Sequence, residues 1–235
     1  MSLDFGRFEA LTFDCYGTLV DWERGILHAL DDLLGDRIAS IDPDRLLEAY
    51  GRFESEAEAG DHRAYRAVLE DVARAFGREC DVPVDDAAAA RFAASVGAWP
   101  PFGDTVDALK RLASRYRLAI VSNVDDDLFA GSAAQLGVEF AEVVTAQQVR
   151  SYKPAPAHFD EVLRRLELPR ERVLHVAQSL YHDIAPAKEL GFTCVWVNRR
   201  AHRGGSGATP PADATPDLEV PTLAALADLV DAAAD

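Results

Sequence analysis

Apolar and polar positions along the chain change their period twice. Phe8 to Asp14, FEALTFD, is a short apolar, β-prone run ending in a carboxylate, and the CYGTLVDW that follows supplies a glycine turn. This predicts a strand with a polar residue at its tip. From Gly25 to Val96 apolar residues recur at helical spacing instead: Ile26, Leu27, Leu30, Leu33 and Leu34, then Leu46, Leu47 and Tyr50, then Tyr65, Val68, Leu69 and Val72, then a stretch around Phe92. No convincing strand interrupts them. The Trp99-Pro100-Pro101 break closes that region, and beyond it the pattern alternates. It predicts helices over Thr105–Ser114, near Asp127–Leu136, over Ala157–Leu166 and over Ile184–Leu190. Strands fall between and after them, over Arg117–Ser122, near Glu142–Thr145, over Arg172–Ala177 and over Thr193–Val197. The stretch from Arg199 to Thr215, rich in Gly, Pro, Ala and Arg, has no periodicity and is expected to be a surface loop. A last strand at Asp217–Val220 and a terminal helix follow it.

Strands alternating with helices define the α/β class: a parallel sheet covered on both faces, whose ligands sit at the carboxyl ends of the strands. The polar residues expected there are Asp14, Ser122 with Asn123, and Gln178 through Asp183, joined by Lys153 from a loop. Taken one at a time, such residues have plain structural readings. A strand-end Asp is commonly a turn or helix cap, Ser122 and Asp183 each precede a predicted helix, and Thr18 can serve only to fix its turn.

Composition narrows the class further. The 235 residues exceed one ordinary domain of roughly 100 to 200, which fits a large α/β domain or a core with one inserted module. Apolar residues make up 49% and charged ones 27%, with no apolar run near the ~20 residues that cross a bilayer, so a soluble globular chain with no membrane partner is expected. MSLDFGRFEA lacks the basic and apolar segments of a secretory signal, which points to the cytoplasm. The net charge of −16 would repel phosphate backbones, so no nucleic-acid partner is expected. Cys15, Cys80 and Cys194 are scattered and odd in number, supporting neither a disulfide framework nor a zinc site, and His175 and His182 are seven residues apart, not on one helical turn. No metal and no cofactor is expected.

The string Asp14-Cys15-Tyr16-Gly17-Thr18-Leu19 resembles the first motif of the haloacid dehalogenase superfamily, and three further matches follow in order: Ser122 in IVSN, Lys153 in SYKPAP, and HVAQSLYHDIAPAKELG. The resemblance implies a Rossmann-like core over residues 1–20 and 98–235, a helical cap domain over 21–97, and an aspartyl nucleophile at Asp14. Two departures stand out. Where the superfamily's phosphatases carry a second Asp, which protonates the leaving alcohol, this chain has Tyr16, a poor acid at neutral pH. Where they carry a Gly-Asp pair that helps hold Mg²⁺, it has Ala177 and Gln178, and a neutral amide is a weaker ligand for that ion.

Both changes suit displacement at carbon, and Asp-x-Tyr-Gly-Thr resembles the L-2-haloacid dehalogenase branch. The resemblance implies a small carboxylic acid substrate whose C2 is attacked by Asp14, with Lys153 keeping Asp14 ionised. Thr18 and Ser122 would hydrogen-bond the nucleophile and substrate carboxylates, and Asp183 would position or deprotonate the hydrolytic water. Tyr16, Asn123, Gln178 and Ser179 are the expected substrate contacts, with Trp22 as an apolar wall and Arg52 as the halide ligand, in competition with Arg24, Arg63 and Arg66. The match is incomplete, because that branch has Asn at Leu180 and Ser at Gln178. DCYGTLVDWE with SLYHD is also similar to enzymes that open the strained ring of azetidine-2-carboxylate. A Mg²⁺-dependent phosphatase, a non-catalytic binding module and a homodimeric assembly stay open at this point.

Overall fold

A computed structural model describes residues 3–203, 205 and 207–233. Residues 1, 2, 204, 206, 234 and 235 of the expected core segments lie outside the described residues. The chain builds one six-stranded, all-parallel sheet in the order β3-β2-β1-β4-β5-β6. The strands are β1 (Ala10–Phe13), β2 (Arg117–Ser122), β3 (Glu142–Thr145), β4 (Val173–Ala177), β5 (Thr193–Val197) and β6 (Leu218–Val220). All four residues of β1 are fully buried, as the middle strand of a sheet covered on both faces requires. Phe13 pairs with Ile120 on one side and Val176 on the other, so the chain reverses its winding on either side of β1. Ligand crevices open at such a switch point, and Asp14 is the first residue beyond it.

Five helices stand between β1 and β2, and the first four of them fall within 21–97: α1 (Trp22–Leu34), α2 (Pro43–Glu58), α3 (Tyr65–Glu79) and α4 (Asp86–Ala94). Asp21, Asp42 and Asp85 cap α1, α2 and α4 with their own carboxylates. The α3 start has no such cap; the Asp125 carboxylate, sixty residues on, accepts the Tyr65 and Arg66 amides at 3.0 and 2.9 Å. The remaining helices flank the sheet: α5 (Thr105–Ala113), α6 (Asp126–Leu136), α7 (Ala146–Val149), α8 (Ala157–Leu166), α9 (Ala185–Glu189) and α10 (Leu223–Ala232). No helix among the described residues is long and apolar enough to cross a membrane.

Two expectations need correction. The helix expected from Ile184 begins earlier, with a wide π turn over Leu180–Ile184 that Ser179 caps, and α9 starts only at Ala185. Asp183 is thereby turned inward rather than used as a cap. The stretch from Arg199 is also not merely a surface loop. Arg200, Ala208 and Thr209 are buried, and Arg200 reaches Glu23 on α1 and Asp44 on α2. A run without period can still pack when ion pairs and a close backbone approach hold it. That approach occurs at Gly51 of α2, where a Cβ would fall 2.5 Å from the Ala208 carbonyl oxygen.

Gly51→Ala should therefore lower the unfolding free energy by about 1–3 kcal/mol through overpacking against backbone. It should do so although alanine favours a helix by about 1 kcal/mol over glycine. Urea unfolding monitored by circular dichroism measures the sign, and a more stable variant would contradict the packing described.

Candidate active site

Asp14, Ser122 and Lys153 converge because β1, β2 and the segment after α7 all end on one edge of the sheet. The Lys153 ammonium is fully buried and donates to Asp14 Oδ1 at 2.9 Å, Asp183 Oδ1 at 2.7 Å and the Val121 carbonyl at 2.9 Å. All three of its protons are thus engaged. Thr18, one turn past β1, donates to Asp14 Oδ2 at 2.9 Å and accepts the Gln178 amide at 2.9 Å. Asn123 faces Lys153 with both ends of its amide, donating to the Lys153 carbonyl and accepting its N–H. This side chain, expected to bind substrate, ties the lysine backbone in place at the cavity wall. His175 on β4 lies 3.2 Å from Asp183 Oδ1 and 3.0 Å from Thr12 Oγ1. The hydroxyl of Ser122 and Asp183 Oδ2 are buried with no partner of their own.

Two carboxylates sharing one ammonium do not titrate alike. Burial drives the Asp14 carboxyl above the ordinary carboxylate range; Lys153 opposes this, and the Asp183 charge adds to it. Asp183 is buried as deeply, yet Lys153 and His175 overcome the desolvation and hold it low. The two carboxyls are thus pushed in opposite directions, Asp14 up and Asp183 down.

Above this floor lies a small cavity of about 40 Å³, lined by Asp14, Tyr16, Trp22, Ser122, Asn123, Lys153, Gln178, Ser179 and Asp183 from the expected set. A water occupies roughly 10–15 Å³ by this measure, so the space suits a molecule of a few heavy atoms. Tyr16 presents its ring, because its hydroxyl is bonded to Ser132 at 2.9 Å and burial raises its ionisation well above the usual phenol range. Trp22 stands edge-on to Tyr50. Ser179 bonds the His182 amide and its Nδ1, and burial holds the His182 imidazole down to about 4. Thr18 lies beneath, touching the site through Asp14. Arg52 is not brought to the cavity: its guanidinium is half exposed, pairs with Glu79 on α3 and stacks on Phe53. The halide role expected of it therefore finds no support in its position.

The remaining lining residues are Glu54, Glu58, Tyr65, His182 and Thr209. Sequence reasoning gave no role to Glu54, Glu58 or Thr209. The signal for the first two was present: Leu46, Leu47 and Tyr50 define the buried stripe of α2, and Glu54 and Glu58 continue it at intervals of four. A carboxylate on an apolar stripe marks a place where charge is buried for a reason.

The comparisons agree with this architecture. Residues 8–191 match the model of the haloacid dehalogenase-like hydrolases. The chain is 27% identical over 231 residues to haloacetate dehalogenase H-2 of Moraxella sp. (strain B), covering 95% of this chain and 98% of the relative. It is 26% identical over 226 residues to an (S)-2-haloacid dehalogenase of Pseudomonas putida, covering 93% and 94%. The solved L-2-haloacid dehalogenase of Xanthobacter autotrophicus, with chloropropionic acid covalently bound, superposes with a TM-score of 0.80 at 22% identity, covering 95% of this chain and 98% of that one. At that identity the likeness speaks for the fold.

The shared ammonium makes a direct prediction. Asp14 should titrate above the ordinary carboxylate range, and Lys153→Met should move it higher still, because the substitution removes the cation that opposes burial. Carbon-13 NMR of labelled aspartate carboxyls follows this. The variant should also be less stable at neutral pH, by up to about 3–5 kcal/mol, since two buried carboxyls lose their partner. An Asp14 titration unchanged or lowered by Lys153→Met would contradict the described coupling.

Proposed function

The chain belongs to the haloacid dehalogenase-like hydrolase family, and from that premise we propose that it hydrolyses small carboxylic acids at C2 through a covalent ester on Asp14, with 2-haloacid dehalogenation as the first reading. The observation that carries this is the seat of Asp14. Its two oxygens are fixed by Lys153 and Thr18, and its carboxylate opens on a cavity sized for a few heavy atoms. Relatives aligned over nearly the whole chain are named for (S)-2-haloacid and haloacetate dehalogenation.

In this reading the ionised Asp14 attacks C2 and halide departs without needing a proton. The unpartnered hydroxyl of Ser122 binds the substrate carboxylate, and the rings of Tyr16 and Trp22 shield the reacting carbon from water. Water then attacks the ester carbonyl carbon of Asp14. Asp183 orients that water through Oδ2; held as low as it is, it is a weak base, so positioning is its contribution. The helices of 21–97 act as the cap that encloses the step.

The phosphatases of the superfamily use Mg²⁺, and the donor set here does not fit that ion. Asp14 and Asp183 both give an oxygen to Lys153, and Gln178 supplies an amide where a carboxylate would be wanted. Among the described residues no group of three or more His, Cys, Asp or Glu could hold a metal. We therefore propose metal-independent turnover. A ring-opening reaction of a small cyclic amino acid is the second reading, favoured because no arginine among the described residues lines the cavity to receive an anion.

Chloride release from (S)-2-chloropropionate tests the proposal. Turnover should persist in EDTA, fall by 10³-fold or more in Asp14→Asn, and decline toward acid pH as Asp14 takes up its proton. Activity that disappears in EDTA and returns with Mg²⁺ would contradict the metal-independent reading, and full activity of Asp14→Asn would contradict the nucleophile.

A further inference from the structure

Resting on the reading of Asp14 as nucleophile, we infer that Glu54 is a second catalytic group, an acid in the cap that delivers a proton to the atom leaving C2. The site then opens strained heterocyclic 2-carboxylic acids, whose ring nitrogen or oxygen is expelled, as well as displacing halide.

The cavity offers a leaving group an acid rather than free positive charge. Lys153 is its sole lining cation among the described residues, and its three protons are spent on Asp14, Asp183 and the Val121 carbonyl. The cap side presents Glu54 and Glu58 from α2. A departing anion meets no free positive charge there; a departing atom that takes up a proton meets an acid. Glu54 is almost fully buried, and its Oε1 accepts both the Tyr50 and Tyr65 hydroxyls. The two phenols fix the carboxyl and leave Oε2 to carry the proton.

Glu54 is also tuned for the task. Burial lifts it to about 7, against the two phenols, which favour its charged form. An acid near the working pH is the most effective donor. The charged and titratable groups around it act in both directions. Tyr50 and Glu58 lie on its own helix and Tyr65 on α3, while Lys153, Asp14, Asp183 and His182 stand across the cavity. Glu58 is itself raised well above the carboxylate range, first by burial and then by the Glu54 charge, so the pair resists double ionisation.

The step balances. An Asp14 oxygen forms a bond to C2 as the bond from C2 to the ring heteroatom breaks. The electron pair goes to that heteroatom, which takes the Glu54 proton and stays attached to the product. Water then cleaves the ester, giving a 2-hydroxy acid, and the proton it releases restores Glu54. Ring strain supplies the driving force that an open-chain amine or alkoxide lacks. A ring also needs no separate cradle for a second product, which agrees with the size of the cavity.

The test compares oxirane-2-carboxylate and azetidine-2-carboxylate with (S)-2-chloropropionate in the wild type, Glu54→Gln and Tyr65→Phe. Glutamine keeps the shape and still accepts the phenols, but has no acidic proton to give. Glu54→Gln should lower kcat for the rings by about 10²–10⁴-fold more than it lowers chloride release, with KM for the rings within a few-fold. Opening of the oxirane should decline above about pH 7, where Glu54 loses its proton. Tyr65→Phe should move that limb to higher pH, because it removes a bond that favours the charged form. Equal losses on ring and halide substrates, a profile flat through pH 7, or wild type that releases chloride and leaves both rings intact would each overturn the inference while the nucleophile stands. Failure on all three substrates, with no ester mass on the Asp14 peptide, would overturn the reading of the site itself.

Discussion

A buried ammonium shared by two buried carboxylates is the interaction on which this molecule turns. Taking Lys153, Asp14 and Asp183 out of water costs several kcal/mol per ion, and only close geometry offsets it. The fold supplies that geometry. Asp14 is fixed by the pairing of β1 with both neighbours, Lys153 by the two-ended grip of Asn123, and Asp183 by a wide turn capped by Ser179. The balance is unequal by design of the surroundings: His175 sides with Asp183 against its desolvation, so the carboxyl that stays easier to protonate is Asp14. A carboxylate raised by burial is more nucleophilic than a solvated one, and Lys153 sets how far that rise can go.

Polar contacts tie helices α1–α4 to the rest of the chain, beside a buried apolar core that spans both. Asp125 holds the first turn of α3, Tyr152 donates to the Arg63 carbonyl at 2.8 Å, and Arg200 bridges Glu23 and Asp44 while Ala208 seats against Gly51. Most are polar, and those at the rim, such as Arg66 with Asp127, are exposed pairs worth little individually.

The sheet and its helices were legible because each has a strong local period, and the strand-end residues were legible because a parallel sheet sends its chemistry to one edge. Asp14, Ser122, Lys153, Gln178 and Asp183 all arrive there. What escaped depends on contacts distant in sequence. Asp125 stands just before α6, where it looks like the cap of that helix, yet its carboxylate serves α3. Arg52 and Glu54 differ by two positions, about 200° around a helix, so choosing which one faces the cavity needed the packing of α2. The run beginning at Arg199 carries no periodic signal, since the Arg200 ion pairs and the close approach of Ala208 to Gly51, not an apolar stripe, hold it in place.

The central claim is that Asp14 becomes an ester. One turnover in H₂¹⁸O with enzyme in excess, followed by digestion and mass measurement of the peptide containing Asp14, tests it most directly. An ester on Asp14 predicts ¹⁸O in that carboxyl and an unlabelled hydroxyl in the first-turnover product, since water attacks the ester carbonyl. Label in the product with none on Asp14 would mean that water attacks the substrate itself, and would contradict it.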